Sequence, residues 1–190
     1  MKNKKIILSI VVSIFMCNLI FTSCVEPDEI EKITFLEKKV YTSEDSLIDQ
    51  YPRTKGDAHS GNYFSRTDGG AYQYGIGILY PLNDTNLNRD LRVTINLWVR
   101  SNQINPDCIY AIALQDEATM VLWNEIKLGK YITEPNKWIN ISDSITIPGN
   151  LINKPGLIIK TFSFNTHNNT ILDGDDLEIK FATIRKELAE

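Results

Sequence analysis

Hydrophobic and polar residues alternate along several stretches of the chain beyond residue 60. In DLRVTINLWVR (90–100), aliphatic residues occupy every second position from Leu91 to Val99. Three further stretches alternate in the same way: AYQYGIGILY (71–80), KWINISDSITIP (137–148) and DDLEIKFATI (175–184). Because successive side chains of a strand point to opposite faces, this period predicts strands with one buried and one wet face.

In AYQYGIGILY the alternation predicts a buried face made of Tyr72, Tyr74, Ile76, Ile78 and Tyr80. Gly75 and Gly77 fall on the other face. Two glycines in a strand indicate either a β-bulge or the close approach of a ligand, and we favour the bulge.

Two other stretches, CIYAIALQ (108–115) and GLIIKTFSF (156–164), are apolar at nearly every position, which is typical of central strands. ATMVLWNEIKLGK (118–130) has the β-branched and aromatic content of a strand rather than of a short helix. Turn clusters rich in Gly, Pro, Asn and Asp separate these stretches. Short strands with no helices between them predict an all-β fold, an antiparallel β-sandwich or barrel.

Four stretches also follow the order of strands in a known family. HSGNYFSR (59–66), LRVTINLWVRS (91–101), NKWINISDSITIP (136–148) and GDDLEIKFATI (174–184) resemble strands of the carbohydrate-binding-module type of jelly roll, also called galactose-binding-domain-like. The resemblance implies a jelly-roll sandwich, which we assign to residues 32–187. That family includes sugar-binding modules and domains with no known ligand, so the fold does not give the function.

The resemblance implies a sugar site in which aromatic rings stack on sugars and polar side chains bind hydroxyl groups. Trp98 lies on the polar side of its amphipathic strand, with Arg92, Asn96 and Arg100. We therefore predict that these four residues bind carbohydrate, with Trp123 as a second aromatic. The alternative for Trp98 is cover by the N-terminal segment or a long loop, with arginines packed over its ring. The alternative for Trp123 is packing in the core or at an edge.

Asp173, Asp175 and Asp176 form an acidic cluster at a turn. Carboxylate oxygens are calcium ligands, and jelly-roll modules of the resembled family often carry a structural calcium. A structural calcium ion is therefore a candidate, and the alternative is a solvated acidic turn. We expect no other cofactor.

We predict that the protein is not an enzyme, because its residues form no recognisable catalytic set. His59 and His167 are the only histidines, and G-x-S-x-G and phosphate-binding glycine motifs are absent from the sequence. Glycoside hydrolysis needs two carboxylates across the scissile bond. The acidic stretch EDSLID (44–49) offers carboxylates, but we interpret it as a loop.

The beginning of the chain resembles a bacterial lipoprotein signal peptide over residues 1–23. A basic MKNKK precedes an apolar run from Ile6 to Phe21. Thr22-Ser23-Cys24 is similar to a lipobox, although Phe21 stands where Leu is commonest. The resemblance implies that Cys24 is lipidated and is followed by a short acidic linker, residues 24–31. An ordinary signal peptide or an uncleaved anchor is the alternative.

Acidic residues directly after a lipidated cysteine resemble a surface-export signal. We therefore expect an outer-membrane protein, lipid-anchored at the cell surface. The formal net charge of −4 argues against nucleic acid, whose phosphates require a basic surface. Cys108 would be the only cysteine left after cleavage, so no intrachain disulfide is expected, and its apolar stretch suggests a buried thiol.

Three hypotheses for the function follow. The first is a non-catalytic cell-surface lipoprotein module that binds a glycan. The second is a structural or protein-interaction surface lipoprotein without a sugar site, whose partner is an outer-membrane protein. The third is a glycoside hydrolase. A solvent-accessible Trp98 in a groove favours the first hypothesis, a Trp98 buried under Tyr41 to Arg53 favours the second, and two carboxylates facing each other across a cleft favour the third.

Overall fold

A computed structural model describes residues 29–44 and 51–188. The chain divides into two compact units: Lys32–Arg185, and the two chain ends Met1–Glu31 with Lys186–Glu190. In the second unit the structure describes only residues 29–31 and 186–188. They are the first three residues of the first strand and the last three of the last strand. The predicted signal peptide, the lipidation site Cys24 and most of EDSLID lie outside the described residues.

In the described part of the chain, ten strands form two sheets. They are β1 (Glu29–Tyr41), β2 (Arg53–Lys55), β3 (Tyr63–Thr67), β4 (Tyr74–Pro81), β5 (Asp90–Ser101), β6 (Ile109–Asp116), β7 (Thr119–Lys127), β8 (Ile139–Ile147), β9 (Ile158–Phe164) and β10 (Leu172–Leu188). The larger sheet has the order β2-β3-β10-β5-β8, with β1 also paired to β10, and the smaller sheet has the order β4-β9-β6-β7. Strands β2 to β10 pair antiparallel. The fold is an all-β antiparallel sandwich of the jelly-roll type, as the sequence predicted.

The core lies between the two sheets. On β5 the aliphatic residues from Leu91 to Val99 are completely buried, and the residues between them are half-buried. Phe181 of the larger sheet stacks on Tyr80 of the smaller sheet, with ring centroids 3.9 Å apart. Burying one large apolar side chain contributes about 1.5–3 kcal/mol, so this layer supplies most of the stability.

The prediction for AYQYGIGILY is correct for Ile76, Ile78 and Tyr80, which are buried, and wrong for Tyr72 and Tyr74, which are exposed. The pairing of β4 with β9 shifts register between Tyr74 and Gly77. An extra residue in one strand reverses the face of the side chains beyond it. The bulge expected from the glycines is therefore present, and it turns Tyr74 out of the core.

The first strand was not predicted. It begins at Glu29, inside the stretch that the sequence assigned to an acidic linker. Its apolar residues Ile33 and Phe35 are exposed, so the stretch lacks the usual pattern of a half-buried strand. In the described part of the chain, no helix has the length and apolar character needed to cross a membrane.

Candidate functional site

Trp98 lies on the outer face of the larger sheet, under the loop of residues 56–62 that joins β2 to β3. The His59 imidazole stacks on the Trp98 ring, with centroids 3.7 Å apart and planes 15° apart. The sequence left two interpretations of Trp98 open, an accessible platform for a sugar and a ring covered by the N-terminal segment or a long loop. In the structure a sugar on this ring face would have to displace His59, so the site predicted at Trp98 is not open on that side.

The carboxylates of Asp175 and Asp176 fasten this loop to β10. The backbone N–H groups of His59 and Ser60 both donate to Asp175 Oδ2, each at 3.1 Å. Asp176 accepts the Ser60 hydroxyl at 2.7 Å, and its other oxygen lies 2.7 Å from His59 Nδ1. Asp176 has φ 48°, which places it in the left-handed region that Asp tolerates.

Asp175 is completely buried. Burial raises the pKa of Asp175 above its ordinary value, and the negative charge of Asp176 adds to this effect. Donated backbone N–H groups, including that of Ser60, act in the opposite direction. The backbone N–H groups of the 56–62 loop therefore offset part of the cost of burying the Asp175 carboxylate in its charged form.

Asp173 is held between two arginines. Arg66 donates to it through Nε at 2.7 Å and Nη2 at 2.9 Å, and Arg100 through Nε at 3.1 Å and Nη2 at 3.0 Å. The Arg100 guanidinium also lies 4.6 Å from the ring centroid of Trp138 and 5.3 Å from that of Phe64. These contacts join three strands of the larger sheet and make Arg100 a packing residue of this face.

The acidic cluster predicted to bind calcium is thus occupied by protein groups. Asp173 pairs with arginines, and Asp175 and Asp176 bind the 56–62 loop. Among the described residues, no group of three or more His, Cys, Asp or Glu side chains is arranged to hold a metal ion. The structural calcium stays a prediction that this arrangement does not support.

The predicted sugar-binding residues fall on two opposite surfaces. Arg92, Asn96, Trp98 and Arg100 lie together on β5, on the outward face of the larger sheet. Trp123 lies on β7, which belongs to the smaller sheet. The outer faces of the two sheets point away from each other, so the five residues do not form one site.

The outer face of the smaller sheet carries a second aromatic cluster. Residues directly opposite in paired strands lie on the same face. One row across the sheet contains Leu79, Lys160, Ala113 and Trp123, and another contains Tyr74, Phe164 and Ile109. We call Tyr74, Trp123, Lys160, Phe162 and Phe164 the aromatic face.

The rings of the aromatic face contact one another. The centroid of Phe162 lies 5.3 Å from that of Tyr74 and 5.8 Å from that of Trp123. Phe162 is only 4% exposed, whereas Tyr74 is 50% and Trp123 40% exposed. Phe164 contacts the same rings and is half-buried. A buried phenylalanine therefore supports two exposed rings on rigid strands, which makes a preformed apolar surface.

Three small residues explain how large rings fit on this face. Ala111 and Ala113 occupy the central strand β6 and are completely buried although they point outward. Gly77 lies opposite Phe162, and a β-carbon added there would overlap the Thr161 carbonyl oxygen. The small residues of β4 and β6 leave the space above the sheet to the aromatic rings.

Sequence reasoning named Trp123 but missed its neighbours. Phe162 and Phe164 lie in GLIIKTFSF, where apolar residues on both faces hide which face is outward. Tyr74 was assigned to the core because the sequence predicted a bulge near the glycines but not that this bulge turns Tyr74 to the outer face. The remaining signal was the spacing of Lys160, Phe162 and Phe164, which places a charge and two rings on one face of a strand.

Comparison with known proteins gives similar folds and no family. No family model matches the sequence, and no curated protein matches it. The CBM22-1 xylan-binding domain of Xyn10C from Paenibacillus barcinonensis is 15% identical, over 86% of this chain and 97% of that chain, with a TM-score of 0.41. A CBM4 structure is 14% identical, over 80% and 87% of the two chains, with a TM-score of 0.39. A cyclase from Fischerella sp. TAU is 13% identical, over 80% and 76%, with a TM-score of 0.37. Identities and TM-scores this low assign no function to the chain.

Proposed function

We propose that this chain is a non-catalytic module that binds a glycan, and that the aromatic face is its binding site. The observation that supports this most is the pair of exposed rings, Tyr74 and Trp123, held over a buried Phe162. Large aromatic side chains exposed together on a rigid sheet are costly to hydrate and mark interaction surfaces. The C–H faces of sugar rings match such a surface, because they are apolar and flat.

Polar groups flank the rings. Lys127 and Glu125 of β7 lie on the same side of the smaller sheet as Trp123. Their charged ends hydrogen-bond to hydroxyl groups, whereas the rings contact the apolar sugar faces. The aromatic face thus combines the two kinds of contact that a sugar needs.

A panel of immobilised glycans tests the proposal. The protein is expected to bind at least one glycan, and Trp123→Ala is expected to weaken that binding at least tenfold. Phe35→Ala is the matched control, because Phe35 is an exposed aromatic of the larger sheet. No binding by the unaltered protein, or equal losses in the two variants, would contradict the proposal.

Exposed Ile33 and Phe35 on β1 favour a second candidate, the binding of a partner protein. Among the described strands β1 pairs only with β10, and an edge left unpaired in this way can bind another chain. An outer-membrane protein partner on this edge would be lost in Phe35→Asp and kept in Trp123→Ala. Capture of the same partner by both variants would exclude this edge.

The location at the cell surface is also a proposal and concerns residues outside the described part of the chain. We infer that lipid on Cys24 anchors the protein to the outer membrane. Radiolabelled palmitate is expected to enter the protein and to be absent from Cys24→Ala, which should leave the membrane fraction. Membrane retention of Cys24→Ala without label would contradict the lipid anchor.

A further inference from the structure

Among the five residues that define the aromatic face, Lys160 is the charged one; Glu125 and Lys127 lie on the same side of the sheet at its edge strand β7. It lies on β9, and its Nζ is 5.5 Å from the ring centroid of Phe162. It shares its row with Leu79 on one side and Ala113 on the other. The ammonium group is thus placed beside the ring that supports both Tyr74 and Trp123.

Within residues 29–44 and 51–188, Lys160 has no ion pair, although several other lysines do. Lys38, Lys130, Lys154 and Lys180 each lie within 3.0 Å of a carboxylate oxygen. The acidic residue of this face, Glu125, is two strands away and one row along. Sheet spacings put the two Cα atoms about 12 Å apart, and within the described residues no ion pair joins the two side chains.

We propose that Lys160 makes the aromatic face selective for anionic glycans, in which a sugar carries a carboxylate or a sulfate group. This inference rests on the proposed function of the same face. A sugar stacked on Trp123 or Tyr74 brings its substituents next to the rings, and Lys160 Nζ lies 5.5 Å from the centroid of Phe162, which contacts both rings. The aromatic rings would shield the Lys160 ammonium and the anionic group of the sugar in part from water. This shielding strengthens their attraction relative to that of an ion pair on an open surface.

The net negative charge of the protein makes binding of an anionic glycan depend on a local positive charge. With a net charge of −4, the protein repels polyanions in general. Binding of an anionic glycan therefore needs a local cation at the contact point, and loss of that cation should remove the preference. A half-exposed pair changes affinity by about three- to fivefold.

The test compares two polymers that differ only in charge: polygalacturonate and the neutral polymer obtained by reducing its carboxyl groups. Dextran sulfate and dextran form a second pair, which separates sulfate from carboxylate recognition. The unaltered protein is expected to bind the anionic member of at least one pair about three- to fivefold more tightly in 50 mM salt and less so in 500 mM salt. Lys160→Met should abolish the difference, and Lys160→Arg should retain it.

Lys55→Met is the matched control, since Lys55 is an exposed lysine on β2 of the larger sheet. It removes the same charge and should leave the preference unchanged. An equal preference in Lys160→Met and Lys55→Met, or equal binding of charged and neutral polymers by the unaltered protein, overturns the inference. Loss of binding to the neutral polymer in Trp123→Ala tests the proposed function separately, because it does not depend on charge. If neither anionic polymer binds, the inference about Lys160 fails, whereas the proposed function fails only if the glycan panel also shows no binding.

Discussion

The contact between Asp173 and its two arginines predicts an unequal and non-additive response to mutation. The Asp173 side chain is 3% exposed, that of Arg100 is 12% and that of Arg66 is 38% exposed. Replacing Arg100 by Met removes two charge-assisted hydrogen bonds from a buried carboxylate and the cation over Trp138. We expect Arg100→Met to lower the free energy of unfolding by about 2–3 kcal/mol.

Arg66→Met should lower the free energy of unfolding by less, about 1–2 kcal/mol, because the more exposed position of Arg66 lets water solvate Asp173 in its absence. The double variant leaves Asp173 with neither arginine. Each single variant keeps one arginine on the buried carboxylate and the double variant keeps none, so the loss in the double variant should exceed the sum of the two single losses by about 0.5–3 kcal/mol. Asp173→Asn in the double variant should then restore part of the stability, because the neutral amide is cheaper to bury.

Urea denaturation followed by circular dichroism measures these differences as shifts of the midpoint at a constant m-value. Arg89→Met is the control, because Arg89 is exposed in the loop before β5, and it should stay within about 0.5 kcal/mol. A loss below about 0.5 kcal/mol in Arg100→Met, or strictly additive losses in the double variant, would refute this account. If Asp173 accepts hydrogen bonds from the two arginines and binds no calcium, a chelator should leave the urea midpoint of the unaltered protein unchanged.

Three further predictions concern single residues. Burial raises the pKa of the Cys108 thiol to about 12, so at pH 8 a disulfide reagent should label Cys108 only after unfolding, and fast labelling of the folded protein would disagree. Hydrogen bonds, above all the one that Tyr131 donates, lower the pKa of Asp143 in the folded protein. The ionised Asp143 therefore stabilises the fold at pH values above its unfolded pKa of about 3.8, and this stabilisation is lost as the pH falls through the lower folded pKa. The loss of melting temperature between pH 7 and pH 2 should therefore be smaller in Asp143→Asn than in the unaltered protein, and equal losses would contradict this. His59→Ala should uncover Trp98, shift the fluorescence maximum to longer wavelength and increase quenching by acrylamide, whereas unchanged spectra would show that the ring is covered by other groups.

The sequence predicted the regular parts of the fold because burial and strand period coincide there. The alternation on β5 and the apolar stretches of β6 and β9 correspond to a half-buried strand and two central strands. The bulge in β4 was expected from two glycines, but its consequence for Tyr74 was not, because one inserted residue reverses a face without changing the composition. Local patterns therefore gave the strands and failed where register changed.

The candidate sites were harder to predict because they depend on contacts between distant residues. His59 covers Trp98 from a loop that is fastened by Asp176, 117 residues further along the chain. Nothing near Trp98 in the sequence indicates this cover. Trp123 belongs to an aromatic cluster only because it contacts Phe162, which lies on another strand. In the sequence Phe162 cannot be distinguished from a residue of the core.

The most direct test of glycan binding at the aromatic face uses the three tryptophans as separate reporters. Trp98 and Trp138 lie near His59 at the larger sheet, and Trp123 lies on the smaller sheet. Each indole N–H gives its own signal in a nitrogen-15 correlation spectrum, which is assigned by replacing one tryptophan at a time with Phe. Titration with a glycan that binds in the panel should shift the Trp123 signal and leave those of Trp98 and Trp138 in place. A shift of the Trp98 or Trp138 signal with an unmoved Trp123 signal would contradict the account and place the sugar on the opposite sheet.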